Sequence, residues 1–168
     1  MPILTGSRSG PLRNIHVDQI NGDVWTVPAE DMKGRKGATK DFRVPLSIEA
    51  QRVIAEARKF ARDGFLFAGA KRGVISDMTM TALMKRRGLK ERPHGFRTSL
   101  RVWLAETTNA PHDVVEMCIS HVVGPKVVQA YKRTDFLEQR HALMELWASF
   151  LCSRQGGPTP MKVVGSNG

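Results

Sequence analysis

The stretch Arg92–Glu106, RPHGFRTSLRVWLAE, decides how the rest of the chain is read. Pro93 opens a helix, because a proline lacks the N–H that the first turn leaves unpaired and its φ is already helical. Phe96, Leu100, Trp103 and Leu104 then recur at helical spacing, so one face of this helix is built for a core. His94 and Arg97 stand three apart at its start and share a face. An imidazole and a guanidinium at a helix N-terminus suit an anion. Taken alone, a solvated helix face, where both residue types are usually found, is the commoner reading of such a pair.

Further helices flank this one. Ser47 caps IEAQRVIAEARKFAR, Ile48–Arg62, whose apolar face is Ile48, Val53, Ile54, Ala57 and Phe60. DGFLFAG is a short apolar connection. Ser76 caps a helix over Asp77–Arg87, which Gly88 stops. Pro111 opens another through Val114, Val115, Cys118 and Ile119. A short helix carries Val127–Tyr131. A last helix, Phe136–Cys152, shows Leu143, Met144, Trp147, Phe150 and Leu151.

Upstream, IHVDQI and VWTVP alternate and are joined by NGD, a hairpin signal. KGRKGATKD is a basic, glycine-bearing loop. FRVPLS is a third strand, and Pro45 marks it as an edge or a strand end. The fold class expected is α+β: a mostly helical domain with a small three-stranded antiparallel sheet. Residues 1–153 form the domain and residues 154–168, turn-rich and weakly apolar, a flexible tail.

An apolar fraction of 41% supports a real core. No apolar run is long enough to span a bilayer, and the N-terminus lacks the pattern of a signal peptide. The two cysteines, Cys118 and Cys152, have no metal-ligand spacing. A buried free thiol at Cys118 and a reducing cytoplasm are expected. The formal charge is +10, from 26 Lys and Arg against 16 acids. Such an excess attracts a polyanion, nucleic acid first, because neutralising phosphates releases counterions. A membrane surface is disfavoured, since no basic amphipathic helix has an aromatic face.

Tyr131 is the only tyrosine in the chain and lies in a basic, half-apolar stretch ten residues after His121. His121 ends an apolar helix, where the dipole favours a cation. Arg8 lies in TGSRSG, a small-residue turn, and Lys33 enters the basic loop. Taken singly, each reads as an ordinary surface residue. Together, one tyrosine, two arginines, two histidines and a loop lysine form a kit for phosphoryl transfer without metal. A phenol can attack phosphorus, and arginines can hold the non-bridging oxygens. Histidine can take the phenol proton and lysine can protonate the leaving alkoxide.

Two segments, HGFRTSLRVWLAE and SHVVGPKVVQAYKRTDFLEQRHALMELWASFL, resemble the catalytic domain of tyrosine recombinases, the integrases of prophages, satellite phages and genomic islands. The family pattern is His-x-x-Arg, then a His or Trp, then the nucleophilic Tyr, and His94, Arg97, His121 and Tyr131 match it in order. LTGSRSGPL resembles the segment carrying the family's first arginine, which falls on Arg8. WTVPAEDMKGRKGATKDFRVPLS resembles the hairpin carrying its lysine, which falls on Lys33, with Lys36 and Lys40 as neighbours in the same loop. The resemblance spans roughly Ile3–Leu151. Pro11 departs from it, standing where relatives commonly carry an acid that supports the arginine. The family's N-terminal DNA-binding domain and the first helices of its catalytic domain are not represented.

The resemblance implies site-specific cleavage and rejoining of DNA through a 3′-phosphotyrosyl intermediate, for integration or excision of a mobile element. It implies no cofactor and no metal. The partners it implies are double-stranded DNA attachment sites, a homo-tetramer assembled on DNA by the full-length protein, and accessory DNA-bending proteins, in the bacterial cytoplasm at the nucleoid. The alternatives are a catalytically inactive remnant that holds DNA, a type IB topoisomerase-like enzyme, and a helical DNA-binding domain in which Tyr131 is structural.

Overall fold

A computed structural model describes residues 1–32, 39–71, 73–121 and 134–153. In chain order these form α1 (Pro2–Thr5), α2 (Ser9–Arg13), β1 (Ile20–Asn21), β2 (Val24–Val27), β3 (Phe42–Pro45), α3 (Ile48–Arg58), α4 (Thr79–Arg86), α5 (Gly95–Thr107), α6 (His112–Cys118) and α7 (Leu137–Ser153). The α+β class expected is the class observed. The short helix expected over Val127–Tyr131 and the tail 154–168 lie outside the described residues.

The sheet is antiparallel, in the order β1-β2-β3. The NGD hairpin pairs Asn21 with Val24 across its turn, and β3 pairs Val24 with Pro45 through Val27 with Phe42. Pro45 ends an edge strand, where its missing N–H costs no ladder bond. The first strand is shorter than the alternation of Ile15–Ile20 suggests. Val17–Gln19 is a 3-10 turn instead. The Gln19 side-chain oxygen accepts from the His16 backbone N–H and from Trp25 Nε1, both at 3.1 Å. That side chain takes over backbone pairing, and the ladder starts only at Ile20.

Among the described residues, two packed clusters build the interior. Trp25, Val27, Val44 and Leu46 of the sheet region pack with Leu4, Leu12, Ile15, Ala50, Ile54 and Leu66. Leu100 and Leu104 of α5, Val114, Val115 and Cys118 of α6, Ile119 just beyond it, and Leu143, Met144 and Trp147 of α7 form the second cluster. Ile3 of α1 packs against both, and Trp147 Nε1 donates to its carbonyl at 2.7 Å. The short α1 is thus a wedge at the joint, which places the following Gly6–Arg8 beside α5.

The α3 helix ends at Arg58 rather than Arg62. Asp63 and Gly64 turn the chain back so that Phe65 bridges His16. Ala50 and Ile54 are buried, whereas Ile48 and Phe60 are 57% and 75% exposed. The apolar stripe is longer than the surface available to cover it. Ser47 caps the helix as expected, accepting from the Ala50 N–H at 3.3 Å.

The start of α7 is tied to β3 by charge. Arg140, wholly buried, donates to the carbonyls of Asp135 at 2.7 Å and Arg43 at 2.8 Å. Arg43 meets the Asp135 carboxylate with two bonds of 2.8 and 2.7 Å. Burial alone would raise the pKa of Asp135, but the hydrogen bond from Arg43 and the two guanidinium charges outweigh it and hold it below the usual range. Cys118 is buried, as expected, and burial pushes its thiol up to about 12. Among the described residues, no helix is long and apolar enough to cross a membrane.

Candidate active site

Arg97 sits on the first turn of α5 and faces inward; only 3% of it is exposed. Its Nη1 donates to the Gly6 carbonyl at 2.5 Å, and its Nη2 to the carbonyl of Ile119. One side chain thus ties the end of α1 and the end of α6 to α5. A solvated Arg97 is excluded. Burial first, and the positive charge of Arg8 second, lower its pKa to about 10, so it stays a cation at neutral pH. Among the described residues these bonds use two of its five N–H groups.

Arg8 occupies the turn between α1 and α2, two helices of four and five residues that are too short to show a period in sequence. His94 stands at the N-cap of α5 and is exposed. Arg8, His94 and Arg97 line one cleft of about 200 Å³, which Ser7, Ser9 and Met80 of α4 help to enclose. Two guanidinium groups and an imidazole on one cleft can share the oxygens of a single anion.

His121 is reached through a turn. Ser120 adopts φ 54°, a left-handed conformation that costs a side-chain-bearing residue on the order of 1 kcal/mol or more. The turn doubles the chain back over α6, so the His121 N–H donates to the Glu116 carbonyl at 3.0 Å. His121 Nδ1 lies 2.8 Å from Glu116 Oε2. Glu116 is only 7% exposed, and its other oxygen accepts from Arg101 Nε. Burial would raise the pKa of Glu116; the hydrogen bonds and charges of Arg101 and His121 prevail and lower it.

The sequence reading missed Glu116 and Arg101. The available signal was an acid inside the apolar run VVEMCI, a position that has to be paired if it is buried. Lys33, its neighbour Lys36 and Tyr131 lie outside the described residues. Lys40 is exposed. On either side of it in sequence, Thr39 Oγ1 donates to the Ala29 carbonyl at 2.8 Å and Asp41 accepts from the Ala29 N–H at 3.0 Å. Four of the six expected residues are therefore described. Three share a cleft, and His121 is linked to it through the Arg97–Ile119 bond.

The family model for the phage integrase family matches residues 2–138. The prophage integrase IntA of Escherichia coli (strain K12) is 32% identical over 165 residues, which is 92% of this chain and 38% of that protein. The prophage integrase IntZ of the same organism is 32% identical over 166 residues, 92% of this chain and 39% of that protein. The chain thus spans less than two-fifths of the length of these curated relatives. Two solved structures share the fold. The integrase from mycobacterium phage Brujita has a TM-score of 0.58 at 22% identity, over 85% of this chain and 47% of that one. The Tn1549 transposon integrase, in complex with circular intermediate DNA, has a TM-score of 0.59 at 15% identity, over 86% of this chain and 57% of that one. With a family match over residues 2–138 and the same fold in solved integrases, this chain belongs to the phage integrase family, the tyrosine recombinases it resembles in sequence.

Proposed function

We propose that residues 1–153 are the catalytic unit of a site-specific recombinase that cuts and rejoins DNA through Tyr131. The observation that carries this reading is the convergence of Arg8, His94 and Arg97 on one cleft in an integrase fold. The arginines would hold the non-bridging oxygens of a backbone phosphate. The phenol oxygen of Tyr131 attacks phosphorus while its proton passes to His121. The bond to the 5′ oxygen breaks, and Lys33 gives that oxygen a proton. A 3′-phosphotyrosyl ester remains, and a 5′-hydroxyl of the partner strand reverses the step. The substrate is double-stranded DNA at an attachment site, in keeping with a charge of +10. Assembly as a tetramer on DNA with accessory bending proteins, in the bacterial cytoplasm, belongs to the same reading.

The test is trapping on a nicked suicide duplex whose short 5′ end diffuses away. The parent chain should leave a covalent protein–DNA band, and Tyr131→Phe should leave none while folding normally. The band should persist in excess EDTA. A band that survives Tyr131→Phe removes the nucleophile assignment. Pro11, standing where relatives commonly place a supporting acid, favours a second reading, a chain that holds DNA without cutting it. In that case the parent would shift the duplex and form no band.

A further inference from the structure

We infer that Glu116 is the positioning residue for His121, holding its Nδ1 so that Nε2 is the ring atom turned to the reaction. The inference rests on the reading of His121 as a reacting group. Each oxygen of Glu116 has its own donor. Oε2 lies 2.8 Å from His121 Nδ1, Oε1 accepts from Arg101 Nε, and His112 Nε2 stands 3.8 Å from that same Oε1. An ionised carboxylate accepts on both oxygens and donates nothing, so Nδ1 has to carry a proton. The neutral ring then presents a bare Nε2. When the phenol oxygen of Tyr131 bonds to phosphorus, its proton moves to that Nε2. The resulting imidazolium keeps its Nδ1–H against the carboxylate, which stabilises the positive charge. Arg101 is 44% exposed in its side chain, so its part is to occupy Oε1 rather than to fill a core.

An amide at position 116 separates this role from packing. Glutamine keeps the volume of glutamate but accepts on one oxygen only. Facing two donors, it gives its oxygen to Arg101 and turns its NH2 to His121. The NH2 donates to Nδ1, and the proton of the neutral ring moves to Nε2, which can no longer accept. In Glu116→Gln, adduct formation on saturating suicide duplex should fall about 100-fold or more, the usual scale of general-base catalysis. Affinity for the duplex should change little. Adding Arg101→Met removes the competing donor, so the amide oxygen can return to Nδ1 and most of the rate should come back. A purely structural role makes the double variant no faster than Glu116→Gln alone. That result, or a parental rate in Glu116→Gln, would overturn the inference.

The ring-nitrogen chemical shifts of His121, in histidine-labelled chain at mildly alkaline pH, give a readout that needs no cleavage. Nδ1 should be protonated in the parent, Nε2 in Glu116→Gln, and Nδ1 again in the double variant. Protonation at Nε2 in the parent overturns the inference whether or not any adduct forms. If the shifts follow the expected order and the parent forms no adduct, it is the cleavage reading that fails, while the hold of Glu116 on His121 stands.

Discussion

Arg97 Nη1 meets the carbonyl oxygen of Gly6 at 2.5 Å, although the two residues are 91 apart in sequence. The bond depends on a backbone that few residues tolerate. Gly6 lies at φ 59°, and a β-carbon there would stand 2.7 Å from Leu100 Cδ2 and 3.2 Å from the Cys118 carbonyl. Gly6→Ala should therefore cost about 1–3 kcal/mol, the usual scale for a left-handed strain with a close contact. The cost reads out as a lower urea midpoint. Because the carbonyl it moves is the one that aims Arg97, adduct formation should fall further than the stability loss alone explains.

The carboxylates of Asp135 and Glu116 both titrate below their usual values in the folded chain. A folded-state pKa lower than the unfolded one means stability that is present above the unfolded value and lost as pH falls through the folded one. Unfolded carboxylates titrate near pH ~4. The chain should hold its stability at neutral pH and lose it progressively below about pH 4. Asp135→Asn should cost about 1–3 kcal/mol at neutral pH, because Arg43 loses its two-bond ion pair and Arg140 a charged acceptor at 3.3 Å, although Arg140 keeps its two carbonyls. The same variant should show a shallower acid limb in melting temperature against pH, and an unchanged limb would remove Asp135 from this account.

Long periods were legible in the sequence. Leu100 and Leu104 on α5, and Leu143, Met144 and Trp147 on α7, are buried at the spacing that a helix core face requires. The exposure of Ile48 and Phe60 was not legible, since a period states which face could be covered and not how far the covering surface extends. The chemistry-bearing types were legible too. Their surroundings were not, because the acceptors of Arg97 are backbone carbonyls brought in from α1 and α6. Carbonyls carry no signature in sequence, and so a buried Arg97 and a solvated one spell alike. The turn at Val17–Gln19 escaped for a related reason, since a glutamine side chain displaced a ladder that alternation alone supports.

The two thiols should separate cleanly by reactivity. Cys118 is buried and its thiol is pushed up to about 12, whereas Cys152 is exposed. Alkylation proceeds through the thiolate and needs access. At mildly alkaline pH the native chain should take up one alkyl group, at Cys152, and a second only after denaturation. Mass spectrometry of digested chain reads this directly. Rapid labelling of Cys118 in the native chain would mean that the α5–α6–α7 cluster opens more readily than its packing implies.

The last prediction separates Lys33 from its neighbours. A leaving 5′-alkoxide is a strong base, and its departure needs a proton. Lys33, Lys36 and Lys40 fall between β2 and β3 in sequence, within a few residues of one another. Lys33→Ala should slow cleavage by about 100-fold or more, the usual scale for losing a general acid. A duplex whose leaving oxygen is replaced by sulfur changes the demand, because a thiolate leaves without a proton. On that duplex Lys33→Ala should cleave nearly as fast as the parent, and Arg97→Ala, which removes the guanidinium proposed to hold the non-bridging oxygens, should remain slow on both. Equal impairment of Lys33→Ala on the two substrates would exclude proton donation by Lys33. Lys36→Ala and Lys40→Ala, run on the same pair, would then show which loop lysine the sulfur substrate rescues.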